Sequence, residues 1–238
     1  NLYYGGYGPA EWVIKLLLDG TFYHLWYIPG VILGVLVARG LLRLGSRTAL
    51  TAAGLLYLVG LGGDSYYGLT CQLPALEALY GEIFQIFAYT RNGLFFTPLF
   101  LLLGAAGVRW SVRTSAAGLC AAFAAMTAEG LWLHGLQVQR HDSMYMLLPL
   151  VRVCLFSLLL GLNRGERRSC RKLSSLIYVL HPWCIVLVRG GAEVLGLEGP
   201  LVENSMGHFL AVLASSAAAS WALWLAWSRR PLKRSNKG

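Results

Sequence analysis

The Lys and Arg residues of this chain fall on alternate sides of a series of apolar runs, and few folds tolerate that pattern. The runs are His24–Arg43, Thr48–Gly63, Gly93–Val108, Thr114–His134, Met144–Leu162, Leu173–Arg189 and Gly207–Trp227. A helix that crosses a bilayer needs about 20 apolar residues, or slightly fewer with flanking help. Arg39, Arg43 and Arg47 follow the first run, and Arg109 and Arg113 the third. Arg164, Arg167, Arg168, Arg171 and Lys172 follow the fifth; Arg229, Arg230, Lys233, Arg234 and Lys237 follow the seventh. The remaining gaps and the N-terminal stretch carry only Lys15, Arg91, Arg140 and Arg189. Cytoplasmic loops collect Lys and Arg. The pattern therefore predicts an all-α polytopic transmembrane bundle of seven spans, with Asn1 outside and the C-terminus in the cytoplasm. The acids agree, since Glu11, Asp19, Asp64, Glu77, Glu82, Asp142, Glu193, Glu198 and Glu203 all fall on the outer side.

Composition fits a lipid environment: 56% of residues are hydrophobic and 13% charged, which is unlike a soluble domain. The net charge of +9 is spread over inner loops and a tail, where topology and anionic lipid account for it, so no nucleic-acid partner is expected. Cys71, Cys120, Cys154, Cys170 and Cys184 form no CxxC pair, and neither a disulfide framework nor a metal site follows. Residues 1–23 read as an outer loop with an amphipathic piece at Ala10–Leu18. Residues 24–227 read as the bundle, with an outer interfacial segment over 64–92, and 228–238 as a basic cytoplasmic linker tail. Within the outer segment, Leu76, Leu79, Tyr80, Ile83 and Phe87 recur at helical spacing, predicting a helix at the interface or folded over the bundle mouth. Gly30 and Gly34 form a small-xxx-small pair that lets helices approach closely.

Ionisable groups inside a bilayer are costly and face a cavity or a partner. Here they are His24, Glu129, His134, Arg152 and His181, with Asp64 at a span's outer edge. Glu129 and Arg152 lie on consecutive helices at similar depth and are expected to pair, either pinning two helices or lining a cavity. His181 precedes Pro182 and is expected to meet carbonyls freed by the proline, as a packed histidine or as part of a site. The candidate substrate-binding set is His24, Trp26, Tyr27, Asp64, Tyr66, Tyr67, Arg91, Asn92, Glu129, His141, Asp142, Arg152 and His181. A zwitterion suits them, with Arg91 or Arg152 for its carboxylate and Asp64 or Glu129 for its ammonium. No nucleophile with a paired base, no GxSxG and no phosphate-binding glycine loop is present, so no catalytic residue is assigned.

Six strings go further: YHLWYIP over Tyr23–Pro29, GDSYYG over Gly63–Gly68, YTRNGLFF over Tyr89–Phe96, HDSMY over His141–Tyr145, SLIYVLHP over Ser175–Pro182 and LVENS over Leu201–Ser205. Together they resemble the membrane domain of VanT-type serine/alanine racemases of vancomycin-resistant bacteria, itself similar to the acyltransferase-3 family of inner-membrane proteins. The resemblance implies further helices before Asn1 and a cytoplasmic pyridoxal-phosphate racemase domain after the tail. No cofactor is then expected on this chain itself. The histidine held to be catalytic in acyltransferase-3 enzymes lies on their first helix, and no residue here corresponds to it. Three roles remain open: uptake or supply of L-serine, transfer of an acyl group from an acyl donor to an outer acceptor, and passive anchoring of a cytosolic racemase.

Overall fold

The structure is a computed structural model that describes residues 27–162 and 168–228. The described residues are helical and contain no strand. They form two compact units, divided between Arg164 and Gly165. His24, Trp26, the 1–23 loop and the tail beyond Ser228 lie outside the described residues.

In the first unit, α1 (Tyr27–Leu42) turns into α2 (Ser46–Gly62) through Gly45. Gly45 holds φ at 96°, a left-handed conformation that costs glycine little. A short α3 (Tyr67–Thr70) and α4 (Pro74–Ile86) follow. Then come α5 (Thr97–Ala105), α6 (Val112–Gly135) and α7 (Leu148–Leu162). Proline near the start of α4 and of α5 sits where its missing N–H is harmless. Ser111 caps α6, its hydroxyl accepting from the Thr114 N–H at 3.1 Å.

Small residues set the spacing. Gly30 and Gly34, the pair read from the sequence, form the buried stripe of α1 together with Ala38. A Cβ added at Gly93 would lie 2.7 Å from the Gly30 carbonyl oxygen, and one at Gly34 would meet the Thr97 side chain. One at Gly60 would meet Met144 and Phe95. These contacts place the start of α5 against α1 and against the end of α2. Tyr57, Phe96 and Phe100 then stack between α2 and α5, with ring centroids 4.6 to 6.1 Å apart. The far ends of α6 and α7 are tied by Ser157, whose hydroxyl accepts from the Trp110 N–H at 2.7 Å and from the Ser115 hydroxyl at 3.1 Å. The helices therefore alternate in direction. The turns carrying Arg43, Arg47, Arg109 and Arg113 gather at one end, and those carrying Asp64, Arg91 and Asp142 at the other.

The expectation of seven spans is corrected. Among the described residues three helices are long and apolar enough to cross a membrane: Val112–Gly135, Leu173–Leu195 and Ser205–Trp227. Tyr27–Leu42 and Leu148–Leu162 are apolar but shorter. The reason is that an apolar run is not always one helix. Gly93–Phe96 belong to the third run but form a turn, leaving a nine-residue α5. At about 1.5 Å per residue that helix is roughly 14 Å long, well short of a bilayer core of about 30 Å.

The interfacial stripe does become a helix, α4. It docks on the bundle end through Tyr80, which is buried and donates to the Val59 carbonyl at 2.8 Å. Leu79, expected on the same face, is exposed.

The second unit pairs α8 (Arg168–Leu195) with α9 (Ser205–Ser228) through a π-helical turn at Gly199–Glu203. Pro182 lies inside α8 and removes the N–H that would have bonded the Tyr178 carbonyl. The His181 ring takes that carbonyl, with Nδ1 at 2.6 Å. A polar side chain thus repairs the ladder at the proline, as expected from the sequence.

A Gly93→Ala variant should lose about 1–3 kcal/mol of stability, because backbone cannot yield to the added methyl. Gly40→Ala, whose Cβ would meet nothing within 4 Å, should be neutral or gain about 0.5–1 kcal/mol. Melting in detergent compares the two; equal losses would remove the close approach of Gly93 and Gly30 as the cause.

Candidate functional site

Three loops converge on one carboxylate. Asp64 lies just past the end of α2 and is fully buried. Its Oδ1 accepts from the Ser143 N–H at 2.8 Å, the Met144 N–H at 2.9 Å and the Ser65 hydroxyl at 3.1 Å. Ser65 is also 3.2 Å from the His141 carbonyl, and the Asp64 carbonyl accepts from the Arg140 N–H at 3.1 Å. Thus the GDS turn and the HDSM loop are laced together. The third loop joins through Arg91, whose Nη1 donates to the Ser143 hydroxyl at 2.9 Å, and through Tyr89, whose ring packs on His141 at 4.8 Å. Asn92 shapes that loop. Its Oδ1 accepts from the Leu94 and Phe95 N–H groups, and its Nδ2 donates to the Tyr89 carbonyl. Thr90 anchors the loop to α2, donating to the Gly60 carbonyl at 2.8 Å.

Asp64 is only half satisfied. Its second oxygen, Oδ2, is buried and has no hydrogen-bond partner. Burial pushes the carboxyl above the ordinary value of 3.8, against the Ser143, Met144 and Ser65 hydrogen bonds that favour its charged form. Burial holds His141 below its ordinary 6.5, against the attraction of Asp64.

A second polar cluster lies beside the first. Glu129, near the end of α6, accepts from the Tyr66 hydroxyl at 2.8 Å, the Met146 N–H at 2.6 Å and the Leu147 N–H at 3.2 Å. A carboxylate thus holds N–H groups at the entry to α7, where the helix dipole favours negative charge. This replaces the expected partner: Glu129 takes those donors, and Arg152 lies instead over the Phe100 ring, 5.4 Å from its centroid.

The structure therefore brings Asp64, Arg91, Asn92 and His141 into one cluster and Tyr66 and Glu129 into its neighbour. Tyr67 is nearby, with Arg140 5.5 Å from its ring centroid. Asp142 is exposed next to His141, and Tyr27 is exposed at the start of α1. Arg152 is apart from both clusters, and His181 belongs to the second unit. Sequence reasoning missed Ser65, Ser143 and Thr90. Their signal was available: two Asp-Ser pairs and a Thr beside Arg91 lie inside the strings already singled out.

Among the described residues no group of three His, Cys, Asp or Glu could hold a metal ion. Pyridoxal phosphate is held through a lysine Schiff base, and neither polar cluster contains a lysine.

Comparison with known proteins gives this site a setting. Two amino-acid racemases of Enterococcus faecalis are 41% and 40% identical to this chain, over 207 and 214 residues. The matches cover 84% and 86% of the chain. A serine/alanine racemase of Enterococcus gallinarum is 37% identical over 204 residues, 83% of the chain. The chain is a homologue of part of these racemases. It spans only 29%, 30% and 28% of their respective lengths. No family model matches it, and no solved structure matches it.

Two outcomes test the geometry. Glu129→Ala should leave the Met146 and Leu147 amides without their acceptor, costing about 1–3 kcal/mol and speeding their hydrogen exchange; unchanged exchange would remove Glu129 as the holder of this turn. His141 has a folded pKa below its unfolded one, so the unfolded chain protonates first as pH falls. Its stabilising contribution is full above pH 6.5 and is lost below it, down through the lowered value. Asp64 has the opposite sign, contributing less as pH rises from 3.8 through its raised value. The melting-point difference between wild type and His141→Gln should therefore stay constant from pH 7.5 to neutral, and wild type should lose stability relative to the variant as pH falls below 6.5; curves that stay parallel below 6.5 would contradict the half-buried neutral imidazole.

Proposed function

We propose that this chain is the membrane segment of a VanT-type serine/alanine racemase in a bacterial cytoplasmic membrane, and that it captures L-serine for D-serine formation in vancomycin resistance. In this reading the Asp64 end faces outward and the arginine-rich end faces the cytoplasm, where a linked domain carries pyridoxal phosphate and the racemisation chemistry. The observation that carries the proposal is the buried Asp64 carboxylate with one oxygen lacking a donor. Such an oxygen costs free energy until a donor reaches it, and the ammonium of an amino acid is a donor of the right charge. Arg91 stands on the same Ser143 whose N–H serves Asp64, so a cation for the substrate carboxylate lies across one residue from the anion for its amine. A guanidinium matches a carboxylate in geometry as well as charge. That the Enterococcus gallinarum relative is a serine/alanine racemase supports serine as the zwitterion.

The acyltransferase-3 reading rests on the sequence strings alone, and no feature of the described residues favours it. The passive-anchor reading differs in what it requires of Asp64, since an anchor needs no amino-acid site.

Uptake of labelled L-serine into vesicles holding the full-length protein tests the proposal. Uptake should exceed that of empty vesicles and fall at least about tenfold in Asp64→Asn, the loss of one charge-assisted hydrogen bond. Equal uptake with and without the protein would end the idea. Racemase output in cells that survives replacement by an unrelated membrane anchor would establish anchoring in its place.

A further inference from the structure

Arg152 is the charged group that neither polar cluster absorbs. It is the fifth residue of α7, about 6 Å along the helix from its start. Its side chain is exposed. Both Glu129 oxygens are occupied by Tyr66, Met146 and Leu147, and among the described residues no carboxylate pairs with Arg152. It lies at one edge of a groove of about 280 Å³ between α5 and α7. The rest of that groove is apolar. Phe100, Leu103 and Gly104 form one wall, and Leu155, Phe156 and Leu159 the other. Leu155, Phe156 and Leu159 are 38%, 44% and 57% exposed, so the groove is open along its side.

A lone cation in an apolar groove on a membrane helix needs a counter-ion. The layout says which kind. The cation is about one turn from a helix end, and the apolar walls run from it toward the opposite end for seven residues, roughly 10 Å. A small zwitterion would leave those walls uncovered, and a neutral hydrocarbon would leave the guanidinium unmatched. An anionic headgroup with a chain hanging below it satisfies both. A membrane phospholipid has that shape, with a phosphate at one end and an apolar tail running from it.

We propose that this groove binds one anionic phospholipid, its phosphate on Arg152 and one acyl chain along Phe100, Leu103, Leu155, Phe156 and Leu159. The site is separate from the Asp64 cluster and does not rest on the serine reading.

Native mass spectrometry of the full chain in neutral detergent tests it, with dioleoyl phosphatidylglycerol, dioleoyl phosphatidylcholine and oleate as probes. One phosphatidylglycerol should be retained at concentrations where phosphatidylcholine and oleate are not. Arg152→Gln should weaken retention at least about tenfold, as expected for losing a charge-assisted contact, and Arg152→Lys should recover part of it. Gly104→Leu supplies an independent block. A Cβ at Gly104 would meet nothing within 4 Å and leucine is a better helix former than glycine, so this variant keeps its fold while filling the groove. It should lose phosphatidylglycerol with unchanged circular dichroism. Equal retention of the two phospholipids, preference for oleate, or undiminished binding in either blocking variant would overturn the proposal. So would a shift from dimer to monomer in Gly104→Leu, because the groove would then be covered by a second copy of the chain.

Discussion

A single buried carboxylate organises the polar end of the first unit. Asp64 Oδ1 collects the backbone of Ser143 and Met144 from a loop nearly eighty residues away, and its own carbonyl takes the Arg140 N–H. Once that lacing exists, Met144 is buried against Gly60 and the core, and the entry to α7 is held within reach of Glu129. A buried carboxylate bonded on one oxygen only is expensive, and that burial pushes its carboxyl above the ordinary value.

Close approach of helices is the second requirement, and glycine meets it. Gly93 against Gly30, Gly34 against Thr97, and Gly60 against Phe95 and Met144 leave no room for a β-carbon. Van der Waals contact along such seams drives association where lipid offers no hydrophobic gain. These seams also bring the Asn92 turn beside Asp64. The residues that make the helices fit and those that make the polar cluster are therefore neighbours in sequence: Thr90, Arg91, Asn92 and Gly93 serve both ends of the same short stretch.

The charged groups separate by environment. Asp64 and Glu129 are each surrounded by backbone N–H groups, which stabilise a carboxylate wherever the chain turns into a helix or a tight loop. Arg152 has no such supply, because helix interiors present no free carbonyls to a guanidinium, and it rests on the face of Phe100 instead. The same reasoning explains His181, whose ring meets the one carbonyl in its helix that Pro182 has released. An apparently uniform set of polar residues thus divides into one satisfied carboxylate, Glu129, one half-satisfied carboxylate, Asp64, one helix repair and one cation facing an apolar groove.

The all-helical class, the opposition of basic and acidic ends, the glycine seam on α1 and the partner of His181 were legible in the chain, because each depends on residues within a few turns of one another. The membership of Asp64, Arg91, Asn92 and His141 in one cluster was legible only as a list. The number of helices long enough to cross a membrane was not, since hydropathy counts the apolar residues of the Gly93–Phe96 turn as span. The partner of Glu129 was not either: helix rise placed Arg152 at the right depth but could not say around which side of α7 it lies. Local spacing determines periodicity, charge side and turn chemistry. Only the packed fold decides which backbone donors reach a carboxylate first, because that depends on loops far apart in sequence closing on the same few ångströms.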